Sequence, residues 1–131
     1  MSRRGGDPPA PERLAARRAG QRGEAAAAAM ALQRGWRIHG RNLRLRAGEA
    51  DLVCVRDSGP GLSGIIVEVK STGHAGTNLD TRLDPAKRKR LWAMARELAD
   101  RLDLVEVGVV AVLCVIETHS QQLTWLELDA W

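Results

Sequence analysis

Three charged side chains lie in otherwise apolar segments of the sequence, where a packed core has no need of them. Glu68 and Lys70 are two residues apart at the end of a run of Ile and Val, so on a β-strand they project from the same face. If Arg56 pairs with Ile65 across the preceding turn, Lys70 lies opposite Asp51, and Glu68 lies diagonal to Asp51 on that face. This register predicts that two carboxylates and one ammonium group converge.

Glu24 is predicted to join this cluster from a helix. It precedes Ala28 by four residues and Leu32 by eight, so it extends the helical face that is expected to meet the sheet. With the three strand residues it gives a net charge of −2, and carboxylates ~4 Å apart repel each other by about 4 kcal/mol at an effective dielectric of about 20. A divalent cation would relieve this repulsion, and oxygen ligands favour Mg²⁺ or Mn²⁺ over zinc.

Carboxylates, a divalent metal and a lysine are together suited to the hydrolysis of a phosphodiester. The metal would polarise the phosphate and lower the pKa of a bound water, while Lys70 would orient that water or stabilise the developing negative charge. The alternative for any single acid and lysine is an ordinary surface salt bridge, which contributes little to stability. The hydrolytic interpretation therefore depends on the four residues acting together.

The distribution of charge along the chain indicates a polyanionic partner. Residues 1–46 contain eleven arginines and three acids, a net charge of +8, whereas nine basic and thirteen acidic residues give residues 47–131 a net charge of −4. A group of basic residues also lies at the start of a later helix, and acidic residues lie towards its end. The helix dipole favours the reverse arrangement, unless a phosphate docks at the start of the helix. A solvated basic surface is the alternative. The predicted nucleic-acid contacts are Arg41, Arg44, Arg46, Lys87, Arg88, Lys89 and Arg90.

An α/β framework is needed to bring these residues together. The first residues are rich in Pro and Gly and are predicted to form a disordered basic arm, residues 1–14, before a single domain of residues 15–131. Turn residues at 57–61 predict a hairpin, and Asp84-Pro85 is typical of a helix start. The predicted order is a helix at 23–34, strands at 36–45, 50–56 and 65–71, a helix from residue 85, and strands at 107–116 and 122–129. This order predicts a mixed sheet of about five strands flanked by helices.

Several short motifs occur in an order that resembles a known family. They are Gly23-Glu24 at the opening of an Ala-rich helix, Arg41-Asn42, Gly48-Glu49-Ala50-Asp51-Leu52 and Val67-Glu68-Val69-Lys70. Over about residues 17–116 the sequence resembles the bacterial UPF0102 (YraN-type) family. That family is similar to archaeal Holliday junction resolvases and other PD-(D/E)XK nucleases, so the resemblance implies a restriction-endonuclease-like fold.

The resemblance also implies roles for individual residues. Asp51 and Glu68 would bind the metal together with the Val69 carbonyl, Lys70 would be the catalytic lysine, and Glu24 would be an additional acid near the metal. Glu49 matches the GExD pattern of the family and shares a strand face with Asp51, so it would support the site, with a solvent-facing role as the alternative.

The predicted function is a metal-dependent endonuclease that hydrolyses phosphodiester bonds in DNA, with Mg²⁺ or Mn²⁺ as cofactor. A preference for branched or structured DNA is implied only by the resemblance. A homodimer is expected by analogy, since symmetric cleavage of two strands needs two sites. The alternative function is a non-catalytic nucleic-acid-binding module of a DNA-processing complex.

The remaining features of the sequence predict a cytoplasmic protein. The N-terminus lacks the apolar stretch of a signal peptide, and no apolar run approaches the ~20 residues that cross a membrane, so no membrane partner is expected. Cys54 and Cys114 lie in apolar segments without metal-binding spacing, which favours reduced thiols in the core.

Overall fold

The residues that the structure describes form two helices and five strands, in the order that the sequence predicts. The computed structural model describes residues 11–72, 84–116 and 121–129. The elements are helix α1 (Pro11–Gln33), strands β1 (Arg37–Leu45), β2 (Gly48–Asp57) and β3 (Leu62–Thr72), helix α2 (Pro85–Leu102), and strands β4 (Glu106–Ile116) and β5 (Gln121–Leu128).

The five strands form one mixed sheet in the order β1-β2-β3-β4-β5. Neighbouring strands are antiparallel except β3 and β4, which are parallel. Parallel neighbours need a crossover, and α2 provides it, so α2 runs back along the sheet and begins beside the carboxyl end of β3. The prediction of a restriction-endonuclease-like α/β fold, with a mixed sheet flanked by helices, is confirmed.

Each face of the sheet is covered by one helix. On one face, Ile66 and Val53 are buried against Leu91 and Met94 of α2. On the other face, Leu52 and Val67 are buried against the alanines of α1, with other strand residues. Because side chains alternate along a strand, β3 contributes to both cores and is buried on both faces.

Helix α1 is longer than the sequence predicts. It begins at Pro11, whereas the predicted helix begins at about residue 23. Of the predicted disordered arm, residues 11–14 are helical, and residues 1–10 lie outside the described residues. The helix ends where predicted, because Gly35 follows it with a φ of 90°, a left-handed conformation that favours glycine.

Helix α2 begins where Asp84-Pro85 predicts. The side chain of Asp84 accepts a hydrogen bond from the Lys87 N–H at 2.8 Å, and Pro85 occupies the first turn. This cap satisfies one of the amide groups that the first turn of a helix leaves without a partner. Residues 73–83, between β3 and α2, lie outside the described residues.

The predicted pairing of β2 with β3 is wrong by two residues. Arg56 pairs with Ser63 rather than with Ile65. The turn is tighter than the prediction assumed, because both the N–H and the hydroxyl of Ser58 donate to the Gly61 carbonyl, at 2.8 and 3.0 Å. Side chains on a strand alternate with a period of two, so this shift leaves every residue of β3 on its predicted face.

Two smaller expectations can be compared with the structure. Cys54 and Cys114 are free and buried, so the prediction of reduced core thiols is confirmed. Among the described residues, neither helix combines the length and the apolar character that crossing a membrane requires.

Candidate active site

The site begins where strands β2 and β3 separate. Ala50 is buried against the α2 side of the sheet, whereas Leu52 is buried against the α1 side. Residues two apart on a regular strand share a face, so β2 is irregular at Asp51. On β1, Asn42 has a φ of 50° at the position across from this irregularity, a conformation that Asn adopts more readily than most residues.

Beyond the last backbone pair of β2 and β3, the side chain of Asp51 replaces the β2 backbone as a hydrogen-bond partner of β3. The regular pairing of β2 with β3 ends at Leu52 and Val67. One step further, Asp51 Oδ2 accepts a hydrogen bond from the Val69 N–H at 2.8 Å. The carboxylate is thereby fixed between the two strands, beside the segment that carries Glu68 and Lys70.

The carboxyl groups of Asp51 and Glu68 are in contact. Glu68 lies within hydrogen-bonding distance of Asp51, and its side chain is only 13% exposed. Burial, together with this hydrogen bond and the charge of Asp51, raises the pKa of Glu68 to about 7. Two ionised carboxylates in this position repel each other, so the pair is stable only when it shares a proton or a cation.

Lys70 lies next to the carboxyl pair without being fixed to it. Its Nζ is 3.9 Å from Glu68 Oε1, and its side chain is 29% exposed. This distance is too long for a hydrogen bond and allows an ion pair. The prediction that Glu68 and Lys70 share a face is confirmed.

Gly23 allows α1 to approach this end of β3. A Cβ at residue 23 would overlap the Ser71 hydroxyl and lie 3.5 Å from Cγ1 of Val69. The next residue, Glu24, is half-buried near Asp51, and burial, followed by the charge of Asp51, raises its pKa, while the charge of Arg41 lowers it. The Gly-Glu pair therefore combines a close helix contact with an acid near the site.

Glu24 does not form a three-ligand metal site with Asp51 and Glu68. In the part of the chain that the structure describes, no three His, Cys, Asp or Glu side chains come close enough together to hold a metal ion. The contact that exists is between Asp51 and Glu68, with Glu24 beside them. The predicted roles of the Val69 carbonyl and of Glu49 stay predictions. Glu49 lies opposite Arg44 and is exposed, and its charge is one of the causes that raise the pKa of Glu24.

The predicted nucleic-acid contacts fall into two groups. Arg41, Arg44 and Arg46 are exposed along β1 and the turn after it. On α2, Lys89 and Arg90 are also exposed, and a Cβ at Gly48 would lie 3.6 Å from Cδ of Arg90. The start of α2 and the turn between β1 and β2 are therefore neighbours, so Arg46 and Arg90 lie around the same turn. Arg41 lies further from this turn, where its charge acts on Glu24.

Lys87 differs from the other basic residues of its group. It is half-buried, as is Arg88, but its side-chain nitrogen lies within hydrogen-bonding reach of Lys70 and close to Glu68. Burial, followed by the contact with Lys70, lowers its pKa, and the charge of Glu68 opposes this effect. The sequence interpretation grouped Lys87 with exposed DNA contacts, although its place four residues before Leu91, on the apolar stripe of the helix, was a visible signal.

A cavity of about 450 Å³ lies at the opposite end of the sheet. Its wall includes Ser63 at the start of β3, and Trp36 and Trp125, over which the guanidinium groups of Arg56 and Arg34 lie at 3.9 and 4.7 Å from the ring centroids. Five residues of extended strand, about 17 Å, separate Ser63 from Glu68. The cavity is therefore separate from the carboxyl pair.

Comparison with known proteins identifies sequences that share this region. The model of the uncharacterised protein family UPF0102 matches residues 23–112, a range that contains the whole carboxyl site. The UPF0102 protein of Sphingopyxis alaskensis is 40% identical over 89 residues, which cover 68% of this chain and 72% of the relative. That of Anaeromyxobacter dehalogenans is 42% identical over 98 residues, covering 67% and 70%. That of Rhizorhabdus wittichii is 39% identical over 89 residues, covering 68% and 71%.

Proposed function

The chain belongs to the UPF0102 family, and we propose that it is a divalent-metal-dependent endonuclease that hydrolyses phosphodiester bonds in DNA. One observation carries the proposal: the carboxyl groups of Asp51 and Glu68 are in contact, with the ammonium group of Lys70 beside them. Paired carboxylates and a lysine on a restriction-endonuclease-like fold are the arrangement that the sequence resemblance implies for phosphodiester hydrolysis.

The carboxyl pair fits a hard divalent cation. Its donors are oxygens, and burial together with the adjacent Asp51 raises the pKa of Glu68. Mg²⁺ takes one or two protein carboxylates while keeping several waters. Asp51 and Glu68 would hold Mg²⁺ or Mn²⁺, with the Val69 carbonyl as a third donor. When bound, the cation would polarise the phosphate and lower the pKa of a water.

The protein groups have separate tasks in this proposal. Lys70 would orient the attacking water or stabilise negative charge on the phosphate, since its Nζ is 3.9 Å from Glu68 Oε1, too far for a hydrogen bond to that carboxylate. Asp51 is positioned by the Val69 N–H and would keep one carboxylate oxygen for the cation. Glu24 would add negative charge near Asp51 and so strengthen cation binding.

The exposed arginines supply the reason to propose DNA as the substrate. Arg44 and Arg46 on one side, and Lys89 and Arg90 on the other, lie around the same turn. Basic residues that replace the counterions of a phosphate backbone give affinity without reading sequence. A cytoplasmic location and action as a homodimer on branched DNA belong to the same proposal.

The test is cleavage of linear, flapped and four-way DNA by purified protein in Mg²⁺ or Mn²⁺. We expect wild-type protein to cut at least one substrate, and Asp51→Asn, Glu68→Gln and Lys70→Met to lose at least ~10²-fold in rate. Asp100→Asn, which removes an exposed carboxylate of α2, is the matched control and should cut normally.

Two results would reject the nuclease. Cleavage that persists in all three site variants would come from a contaminating enzyme. Salt-dependent DNA binding with no cleavage in either metal would instead favour the alternative function, a non-catalytic nucleic-acid-binding module, which the exposed arginines alone would explain.

A further inference from the structure

Lys87 occupies a core-facing position on α2. It precedes Leu91 by four residues and Met94 by seven, and both of these side chains are buried against the sheet. Residues at this spacing lie on one face of a helix. Lys87 is accordingly half-buried, whereas Lys89 and Arg90 are exposed. A basic residue on this face does not belong to the solvated surface of the helix.

The packing of α2 on β3 directs Lys87 to the carboxyl pair. Leu91 and Ile66 belong to the same buried cluster. From Leu91 to Lys87 the helix advances by about 6 Å, and from Ile66 to Glu68 the strand advances by about 6.6 Å. Both steps lead to the same end of the sheet, because α2 runs antiparallel to β3. The hydrogen bond from the Lys87 N–H to Asp84, at 2.8 Å, fixes this first turn.

Two ammonium groups therefore meet beside the two carboxyl groups. The side-chain nitrogen of Lys87 is within hydrogen-bonding reach of Lys70 and close to Glu68. Two cations in contact repel each other, so their pairing has a cost in stability that Glu68 only partly offsets. Such a cost is common where charges are positioned for a ligand rather than for folding.

The charges of the site indicate what Lys87 adds. Glu24, Asp51, Glu68 and Lys70 carry a net charge of −2, which a divalent cation reduces to zero. Lys87 then leaves a net charge of +1, equal and opposite to that of one phosphodiester. Lys87 therefore places, next to Lys70, a positive charge that can balance the charge of one phosphodiester.

We propose that Lys87 is a second catalytic lysine, whose ammonium group contacts the scissile phosphodiester together with Lys70. This inference rests on the proposed nuclease function. In it, Lys87 stabilises the negative charge that develops on the phosphate in the transition state. The other basic residues of its group, Lys89 and Arg90, hold the DNA backbone further from the reaction.

The experiment compares Lys87→Met, Lys87→Arg and wild-type protein, with Arg96→Met as the matched control because Arg96 is an exposed cation of the same helix. DNA affinity is measured against salt in EDTA, and cleavage is measured under single-turnover conditions in Mg²⁺. Circular dichroism and the thermal midpoint establish that each variant is folded.

We expect Lys87→Met to lower the salt slope of DNA binding by about 1 and the single-turnover rate at saturating protein by ~10² or more. Lys87→Arg keeps the charge and should keep the slope and recover much of the rate. Arg96→Met should match wild type in both measurements.

Three results would overturn the inference in different ways. If wild type cleaves and Lys87→Met cleaves at the same saturated rate with a lower slope, Lys87 is only a backbone contact. If the slope is also unchanged, Lys87 does not touch DNA. If wild-type protein cleaves no DNA in either Mg²⁺ or Mn²⁺, the nuclease proposal fails and the catalytic role of Lys87 fails with it, whatever the slope.

Discussion

Glu68 is the residue at which burial and charge are in greatest conflict. It lies in a strand that is buried on both faces up to Val67, and its carboxyl group meets that of Asp51. The partners that compensate it are Lys70 at 3.9 Å and the charge of Lys87. An uncompensated carboxylate in this environment is destabilising, so a metal-free protein should prefer to keep a proton here.

This preference predicts how stability depends on pH. Folding raises the pKa of Glu68 from its ordinary value of 4.5 to about 7, so between these values the folded protein binds more protons than the unfolded chain. In EDTA, the free energy of unfolding should therefore decrease as the pH rises through this window, with about 2–3 kcal/mol contributed by this group. Urea unfolding at a series of pH values measures the decrease.

Glu68→Gln is the matched control for this prediction. It removes the titrating group but keeps the shape of the side chain, so its free energy of unfolding should decrease less over the same window. The raised pKa of Glu24 acts in the same direction and remains in both proteins. Equal pH dependence in wild type and Glu68→Gln would contradict the assignment of the shift to Glu68.

At the scale of elements, the approach of α1 to β3 decides whether Glu24 reaches the site. The approach is close because Gly23 has no side chain to meet Ser71 and Val69. The Ser71 hydroxyl is buried without a hydrogen-bond partner among the described residues, as expected for a group covered by a helix backbone. Helix position and acid position are therefore coupled through one residue.

Gly23→Ala should destabilise this protein, although a Gly-to-Ala change in a helix usually stabilises. In an open helix this change stabilises by about 1 kcal/mol, but here we expect the free energy of unfolding to decrease by about 1–3 kcal/mol because the new methyl group overlaps Ser71. In a Ser71→Gly background, the same change should cost much less. Chemical unfolding of the four proteins of this cycle measures the coupling. An equal effect of Gly23→Ala in both backgrounds would show that the two residues are not in contact.

At the scale of the whole molecule, the basic residues are divided between two ends. Arg44, Arg46 and Arg90 lie near the turn between β1 and β2 and share the end of the sheet that carries the carboxyl pair. Arg37 lies at the other end of β1, where it pairs with Asp57 at 3.8 Å. Affinity for DNA should accordingly depend on where a positive charge is removed, not only on how many are removed.

A comparison of two double variants tests this dependence. Arg44→Ala/Arg90→Ala should reduce the salt slope of DNA binding by about 2 and weaken binding at low salt. Arg37→Ala/Arg96→Ala removes the same charge elsewhere and should bind nearly as wild type does. Fluorescence anisotropy with labelled DNA measures both. Equal losses in the two variants would mean that attraction is set by net charge alone and that no DNA-binding side exists.

Much of the fold and part of the site could be predicted from local patterns. A period of two placed Glu68 and Lys70 on one face, Asp84-Pro85 began α2, and turn residues predicted the hairpin. These features depend on a few neighbouring residues and on backbone geometry. The strand register was wrong by two residues because the hydrogen bonds that close the turn at Ser58 have no separate signature in the sequence.

The sequence by itself determined the strands, the helices and the types of charged residue that the site contains. Only the tertiary structure decided that Asp51 binds the Val69 N–H, that Gly23 meets Ser71, and that Lys87 joins Lys70 rather than the exposed arginines. The physical reason is distance along the chain. Side-chain alternation and helix capping act over a few residues, whereas these contacts join elements about 17 to 50 residues apart and exist only once both helices have packed on the sheet.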